Sequence, residues 1–305
     1  MDKHWNNYCT LSIVHFMAFP ETFRGEGPFV ETVSRIAEDP FFGAIEIGWI
    51  MDPQVRKAVK AIVDSAHLQV GHAAQSALLI QKLNLNSLDE QERMRAVEQL
   101  MRSIDEAAET GATRLAFLSG PDPGDEKRPF AFEALVKSVK LAAGYSREKG
   151  VALTLETFDR DIDKKALIGP SPLAAQFCKQ VREDYPSFGL MYDLSHMPLL
   201  HERPSEALNQ LKDYLVHIHV GNCVLDPAIP GYGDMHPRFG WPGGCNDVPE
   251  LAEFLRTLIQ IGYLNENKPV KPWVGFEIKP QGNGDTSALV IANAKRVWQE
   301  AWSRV

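Results

Sequence analysis

The chain has 305 residues, 44 % hydrophobic and 24 % charged, with a net charge of −8. These proportions allow a large buried core, and α/β barrels reach this length as one domain. The acidic balance excludes a non-specific grip on nucleic acid or anionic membrane, since both need excess Lys and Arg.

Taken in chain order, the first strand is expected at 11–16 (LSIVHF), followed by a helix at 28–38 whose Phe29, Val33 and Ile36 share a stripe. Strand 43–50 (GAIEIGWI) precedes helix 53–66, with Val55, Val59, Ile62 and Val63 aligned. Strand 68–73 (LQVGHA) precedes the best-patterned helix, 90–110, stopped at Gly111. Strand 113–118 (TRLAFL) leads to helix 130–149, stopped at Gly150. Strand 151–158 (VALTLETF) leads to helix 172–184, and strand 188–194 (FGLMYDL) to helix 205–213, with Pro172 and Pro204 near the helix starts. Strand 215–220 (LVHIHV) is followed by an irregular stretch, 221–246, and then helix 247–261. Strand 273–278 (WVGFEI) and helix 285–302 complete the series.

Strand–helix alternation repeated eight times implies parallel pairing through right-handed crossovers, closing into a single (β/α)₈ barrel domain over residues 1–305. The rival, an open doubly wound sheet, usually shows a Gly-rich phosphate turn after its first strand, whereas here the chain reads MAFPETFRGEGPF. The 221–246 loop is too long to be a plain connection, and Tyr232, Phe239 and Trp241 give it packing groups, so it is expected on the active-site face. Cys9, Cys178, Cys223 and Cys245 form no C-x-x-C pair, which argues against a zinc ribbon, a redox dithiol or a disulfide framework and for a reducing, cytoplasmic setting. MDKHWNNYCT lacks the pattern of a signal peptide, and no run of 18 apolar residues offers a membrane span.

Ionisable residues recur at the ends of otherwise apolar strands: His72, Glu156, Asp193, His219 and Glu277, with His196 just beyond. In a barrel these ends converge. Three carboxylates in one small volume need a cation or protons to coexist, and mixed carboxylate and imidazole donors suit a divalent ion. Taken singly, Glu156 reads equally well as an ion-paired edge carboxylate and Asp193 as a helix cap. His217 and His219 are read as facing opposite sides, leaving His217 to structural packing. Glu46, flanked by Ile45 and Ile47, is expected to face inward; His15 is placed at the mouth, and Trp49 and Phe117 are read as core aromatics rather than sugar platforms.

The segments LETFD, MYDLSHM, HIHVG and GFEIKP resemble the xylose-isomerase-like barrel superfamily, within it the sugar isomerases and epimerases that include tagatose 3-epimerase and hydroxypyruvate isomerase. The resemblance implies a metal held by Glu156, Asp193, His219 and Glu277, with Mn²⁺ foremost and Mg²⁺, Co²⁺ or Zn²⁺ as alternatives. It implies that Glu156 and Glu277 double as the acid–base pair and that His196 contacts the substrate. The chain departs from that pattern at Leu225 and Ile162, where an Arg and an acidic residue are common. The loop offers Asp234, His236 and Arg238 instead, and Glu46, His72 and Lys279 complete the expected substrate contacts. The implied partner is a small carbohydrate, with neither nucleic acid nor membrane, and a homo-oligomer is allowed.

Two alternatives share the ligands. A zinc nuclease similar to endonuclease IV would use His72, Asp234 and His236 as well, although strand four supplies Ser119 where that enzyme has a histidine, and the charge of −8 disfavours DNA. A lyase similar to the catalytic subunits of C-glycoside deglycosidases would eliminate a substituent from a 3-keto-glycoside and work with a small second subunit. A purely sugar-binding role has little need of paired carboxylates on a metal.

Overall fold

The computed structural model describes residues 3–282 and 284–305. Its eight strands are β1 (Thr10–Ile13), β2 (Ala44–Ile47), β3 (Gln69–Ala73), β4 (Arg114–Leu118), β5 (Ala152–Glu156), β6 (Gly189–Asp193), β7 (Leu215–Gly221) and β8 (Trp273–Glu277). They form one parallel sheet in the order β1-β8-β7-β6-β5-β4-β3-β2. The ring is completed between β1 and β2 by a parallel bridge, Val14 to Glu46, and by Gly43 N–H donating to Leu11 O at 2.9 Å. This is a (β/α)₈ barrel.

The helices are α1 (His15–Ala18), α2 (Phe29–Ala37), α3 (Pro53–Ser65), α4 (Gln75–Ile80), α5 (Glu90–Thr110), α6 (Arg128–Lys149), α7 (Ser171–Arg182), α8 (His196–Leu199), α9 (Pro204–Leu211), α10 (Val248–Gln260) and α11 (Ser287–Ser303). The eight expected helices are all present within a few residues. Local chemistry explains their limits. Asp89 caps α5 by accepting from Glu92 N at 2.9 Å, and α5 and α6 each stop where a glycine takes a left-handed conformation, Gly111 at φ 81° and Gly150 at φ 70°. The short helices α1, α4 and α8 fall outside the sequence reading; each is too brief to show helical periodicity.

The main core lies between the strands' outer faces and the helices, with Phe117, Phe177, Phe188 and Trp298 among its fully buried side chains. Inside the barrel, period-two alternation and strand register stack side chains in layers. One layer holds Arg114 over the Trp273 ring, 3.9 Å from its centroid. His217, level with Trp273 in the register, and His219, one inward step further along β7, both reach Glu46. Gly275 makes room for this group, since a Cβ there would stand 2.3 Å from Glu46 Oε1 and 2.8 Å from His219 Cδ2. No described helix is long and apolar enough to cross a membrane.

Candidate active site

Glu156, Asp193, His219 and Glu277 meet at the carboxyl ends of β5 to β8. All four are buried, and one donor atom from each lies within 4.8 Å of the others. His219 Nδ1 stands 2.8 Å from Glu277 Oε2, 3.6 Å from Glu156 Oε1 and 4.0 Å from Asp193 Oδ2. Glu156 Oε1 and Asp193 Oδ2 are buried without a hydrogen-bond partner, which is costly for carboxylate oxygens. Burial pushes the Asp193 pKa up. Burial opposes charge on His219 as well, but the carboxylates of Glu46, Glu156 and Glu277 outweigh it and raise its pKa well above the ordinary value. Two orphaned oxygens converging on an imidazole and a third carboxylate fit a divalent cation of the kind that mixed O and N donors bind.

The cluster rests on Glu46, which reaches across from β2. Its carboxylate accepts from His219 Nε2 at 2.8 Å, His217 Nε2 at 3.1 Å and Ser12 Oγ at 2.7 Å. Because a carboxylate can only accept, His219 presents Nε2–H to Glu46 and Nδ1–H to Glu277 Oε2 at 2.8 Å; the Nε2 bond fixes the ring with Nδ1 towards the cluster, the arrangement that orients metal-binding histidines. Burial favours a neutral Glu46, yet the two histidines hold it well below the usual carboxylate range. Two expectations are corrected here. Residues two apart on a strand share a face, so His217 and His219 both point inward. Glu46 lies beneath the cluster rather than against the open cavity.

That cavity holds about 150 Å³ and opens beside Glu156, His219 and Glu277. Its other polar walls are Gln75, Ser76, Lys164, Asp234, His236 and Lys279; Phe16, Met17, Phe23, Leu79, Phe158 and Met235 make an apolar side. The 221–246 loop reaches the strand ends through Asp234, Met235 and His236. Asp234 is its hub, accepting from His236 Nε2 at 2.7 Å, His196 Nε2 at 3.0 Å and Lys164 Nζ at 3.0 Å. Burial works against an ionised Asp234, but His236, Lys164 and His196 keep it well below its ordinary pKa. Burial likewise opposes charge on both histidines, yet Asp234 pushes His196 up to about 10, and Glu277 with Asp234 pushes His236 up to about 9. Asp193, His196 and His236 make a second compact group that shares Asp193 with the first.

Not every expected residue reaches the cavity. His196 stands behind Asp234, its other nitrogen bonded to Thr157 O at 2.7 Å. His72 faces the helices, because its neighbours Gly71 and Ala73 take the inward positions; both its nitrogens are buried without partners. Arg238 turns away to the carbonyls of Phe239 and Gly240 and to Asp285. His15 belongs to α1 and bonds Thr32 Oγ1 at 2.8 Å between Phe19 and Phe29. Phe117 packs in the core beside Phe188, and Trp49 lines no part of the cavity. Ser119 accepts from Ile168 N at 2.9 Å. With His72 outside and Ser119 engaged, a nuclease-like third ligand set is not assembled among the described residues.

Three polar cavity residues, Gln75, Ser76 and Lys164, went unread in the sequence. Gln75 Nε2 donates to Glu156 Oε2 at 2.7 Å, while its buried Oε1 has no partner. The available signal was a lone amide two residues past a strand end, in AAQSALLI. Lys164 is held in place because its loop wraps Asp159, whose carboxylate accepts from the backbone N–H groups of Ile162, Asp163 and Lys164. A larger groove of about 440 Å³ between α2 and α11 lies away from the strand ends and holds no ligand cluster among the described residues.

A family model described as xylose isomerase-like TIM barrel matches residues 35–296. Among solved structures, a D-psicose 3-epimerase with D-tagatose from Clostridium cellulolyticum H10 superposes with TM-score 0.64 at 20 % identity, covering 97 % of this chain and 96 % of that one. An L-ribulose 3-epimerase gives 0.72 at 16 % identity, covering 97 % and 95 %. A 3-keto-D-glucoside 4-epimerase from E. coli gives 0.67 at 15 % identity, covering 90 % and 95 %. No curated protein matches the chain by sequence.

Proposed function

From the premise that the chain belongs to the xylose isomerase-like TIM-barrel family, we propose that it is a divalent-metal-dependent isomerase or epimerase of a small sugar or sugar derivative. The observation that carries this reading is a pair of buried glutamates, Glu156 and Glu277, flanking His219 in one ligand cluster and both lining the cavity. Glu156, Asp193, His219 and Glu277 would hold the ion, with Mn²⁺ the first choice. When bound, it supplies Lewis-acid polarisation of a substrate oxygen.

The chain's own residues account for the rest. One glutamate removes the proton on the carbon next to a carbonyl, and the electron pair moves to the carbonyl oxygen to give an enediolate. The other returns a proton to the opposite face or to the neighbouring carbon. Gln75 fixes Glu156 by one oxygen. Lys279, Lys164, Asp234 and His236 offer donors and acceptors to sugar hydroxyls, and the apolar side covers the C–H face and excludes water.

The test is deuterium wash-in from D₂O into D-tagatose, D-psicose and a 3-keto-glucoside, followed by NMR on Mn²⁺-supplemented enzyme. Wild type should exchange at least one of them. Glu156→Gln and Glu277→Gln should each lose exchange by a factor of about 100 or more while keeping the circular dichroism of wild type. Exchange retained in both variants would end the acid–base assignment, and three zinc ions per chain would move the reading to a nuclease.

The apolar side of the cavity supports a second outcome of the same first step. A 3-keto-glycoside would set an apolar substituent against Phe16, Met17, Phe23 and Met235, and proton removal there would expel the substituent at the β-carbon. Chromatographic detection of a released aglycone separates the two.

A further inference from the structure

The loop after β7 brings together two thiols that the proposed reaction does not use. Val224 forms antiparallel bridges with Gly233 and Gly244, and Cys245 N donates to Cys223 O at 2.9 Å. The Val224–Gly244 bridge sets Cys223 directly opposite Cys245. Paired positions of this kind have Cα atoms about 4.5–5.5 Å apart, within the span of about 4.4–6.8 Å that a disulfide bridges. Directly opposite residues of an antiparallel pair carry their side chains on one face, so the two thiols adjoin, and each is the largest influence on the other's titration. Cys223 is fully buried while Cys245 is partly open to solvent; Cys9 and Cys178 are buried elsewhere.

We infer that Cys245 is an oxidant-reactive thiol and Cys223 its resolving partner, so that hydrogen peroxide closes the loop after β7 into a reversible disulfide ring. The Cys245 thiolate attacks one peroxide oxygen and the O–O bond breaks. Hydroxide leaves and takes a proton as water, and Cys245 becomes a sulfenic acid. Cys223 sulfur then attacks that sulfur. The S–S bond forms, the S–O bond breaks, and the departing oxygen takes the Cys223 proton as a second water. Two thiols are oxidised and one peroxide is reduced to two waters.

The electrostatics agree with this order. The hydrogen bond from Cys223, against the opposing effect of burial, brings Cys245 down to about 7, and Leu225 N–H assists. Burial pushes Cys178 up to about 12 and raises Cys9 as well. The thiolate is the nucleophile, so the first attack belongs to Cys245. The ring encloses Asp234 and His236, and oxidation therefore pins the segment that presents both to the cavity.

The experiment treats the whole wild-type protein with a small excess of hydrogen peroxide and reads intact mass and peptide maps. The expected result is a loss of two hydrogens, mapped to a Cys223–Cys245 link within one chain and reversed by dithiothreitol. In the untreated protein, iodoacetamide should modify Cys245 at least about tenfold faster than Cys178. Cys223→Ala should stop at a dimedone-reactive sulfenic acid on Cys245, and Cys245→Ser should remove the reaction. A link between chains, a link through Cys9 or Cys178, or no loss of hydrogen overturns the inference. The wild-type measurement does not depend on either variant folding, and none of these readouts uses the proposed enzymatic activity.

Discussion

At the scale of single residues, strand-end chemistry was readable and side-chain partners were not. Glu156, Asp193, His219 and Glu277 announced themselves because a charge at the end of an apolar strand needs a reason. Glu46 carried the same signal in AIEIGW, but its partners come from β1 and β7, and no local pattern gives those distances. His72 shows the opposite failure. It lies one position off the inward register, and burial, with Arg56 adding, pulls its pKa down to about 4 from 6.5. A folded pKa below the unfolded one means the unfolded chain binds the extra proton between those two values. Stability from the neutral imidazole is therefore present above about pH 6.5 and lost as pH falls towards 4. His72→Leu removes that dependence. The fall in urea-unfolding free energy between pH 7 and pH 5 should shrink by about 2 kcal/mol relative to wild type. An unchanged difference would mean that the ring gains its proton without opening the helix–strand layer.

Among the elements, length decided what could be seen. The eight long helices carry enough turns for apolar stripes, caps and glycine stops to reinforce one another. The one-turn α1 and α8 and the brief α4 do not, yet they carry chemistry. α4 begins immediately beyond β3 and puts Gln75, its first residue, against Glu156. The short helix thus acts as a bracket for a glutamate on a strand two places away. Gln75→Ala should leave the fold intact and lower Mn²⁺ affinity or kcat/KM about 10–100-fold, the usual cost of losing a group that orients a ligand. Titration calorimetry and steady-state kinetics measure the two effects, and wild-type values for both would show that Glu156 needs no such support. The length and aromatic content of the 221–246 loop marked it out in the sequence, and Asp234, Met235 and His236 from it line the cavity. The turning away of Arg238 was not legible there, because it depends on carbonyls at Phe239 and Gly240 and on Asp285, a residue from the far end of the chain.

For the whole molecule, alternation alone specified the barrel, and closing the ring then forces the last four strand ends into one place. Three carboxylates held together there without a cation repel one another. Mn²⁺ at about 100 times its dissociation constant should add roughly 2.7 kcal/mol of stability and raise Tm by about 5 °C, read by calorimetry with and without chelator. No change in Tm would argue that the cluster binds no ion. The ring closes between β1 and β2 through the Val14–Glu46 bridge and through Gly43 N–H donating to Leu11 O at 2.9 Å. Glu46, at that seam, also accepts from Ser12 on β1 and from His219 on β7, so one carboxylate of β2 ties three strands together beneath the ligand cluster. A substitution at position 46 would therefore reach the wall of the barrel and its mouth together.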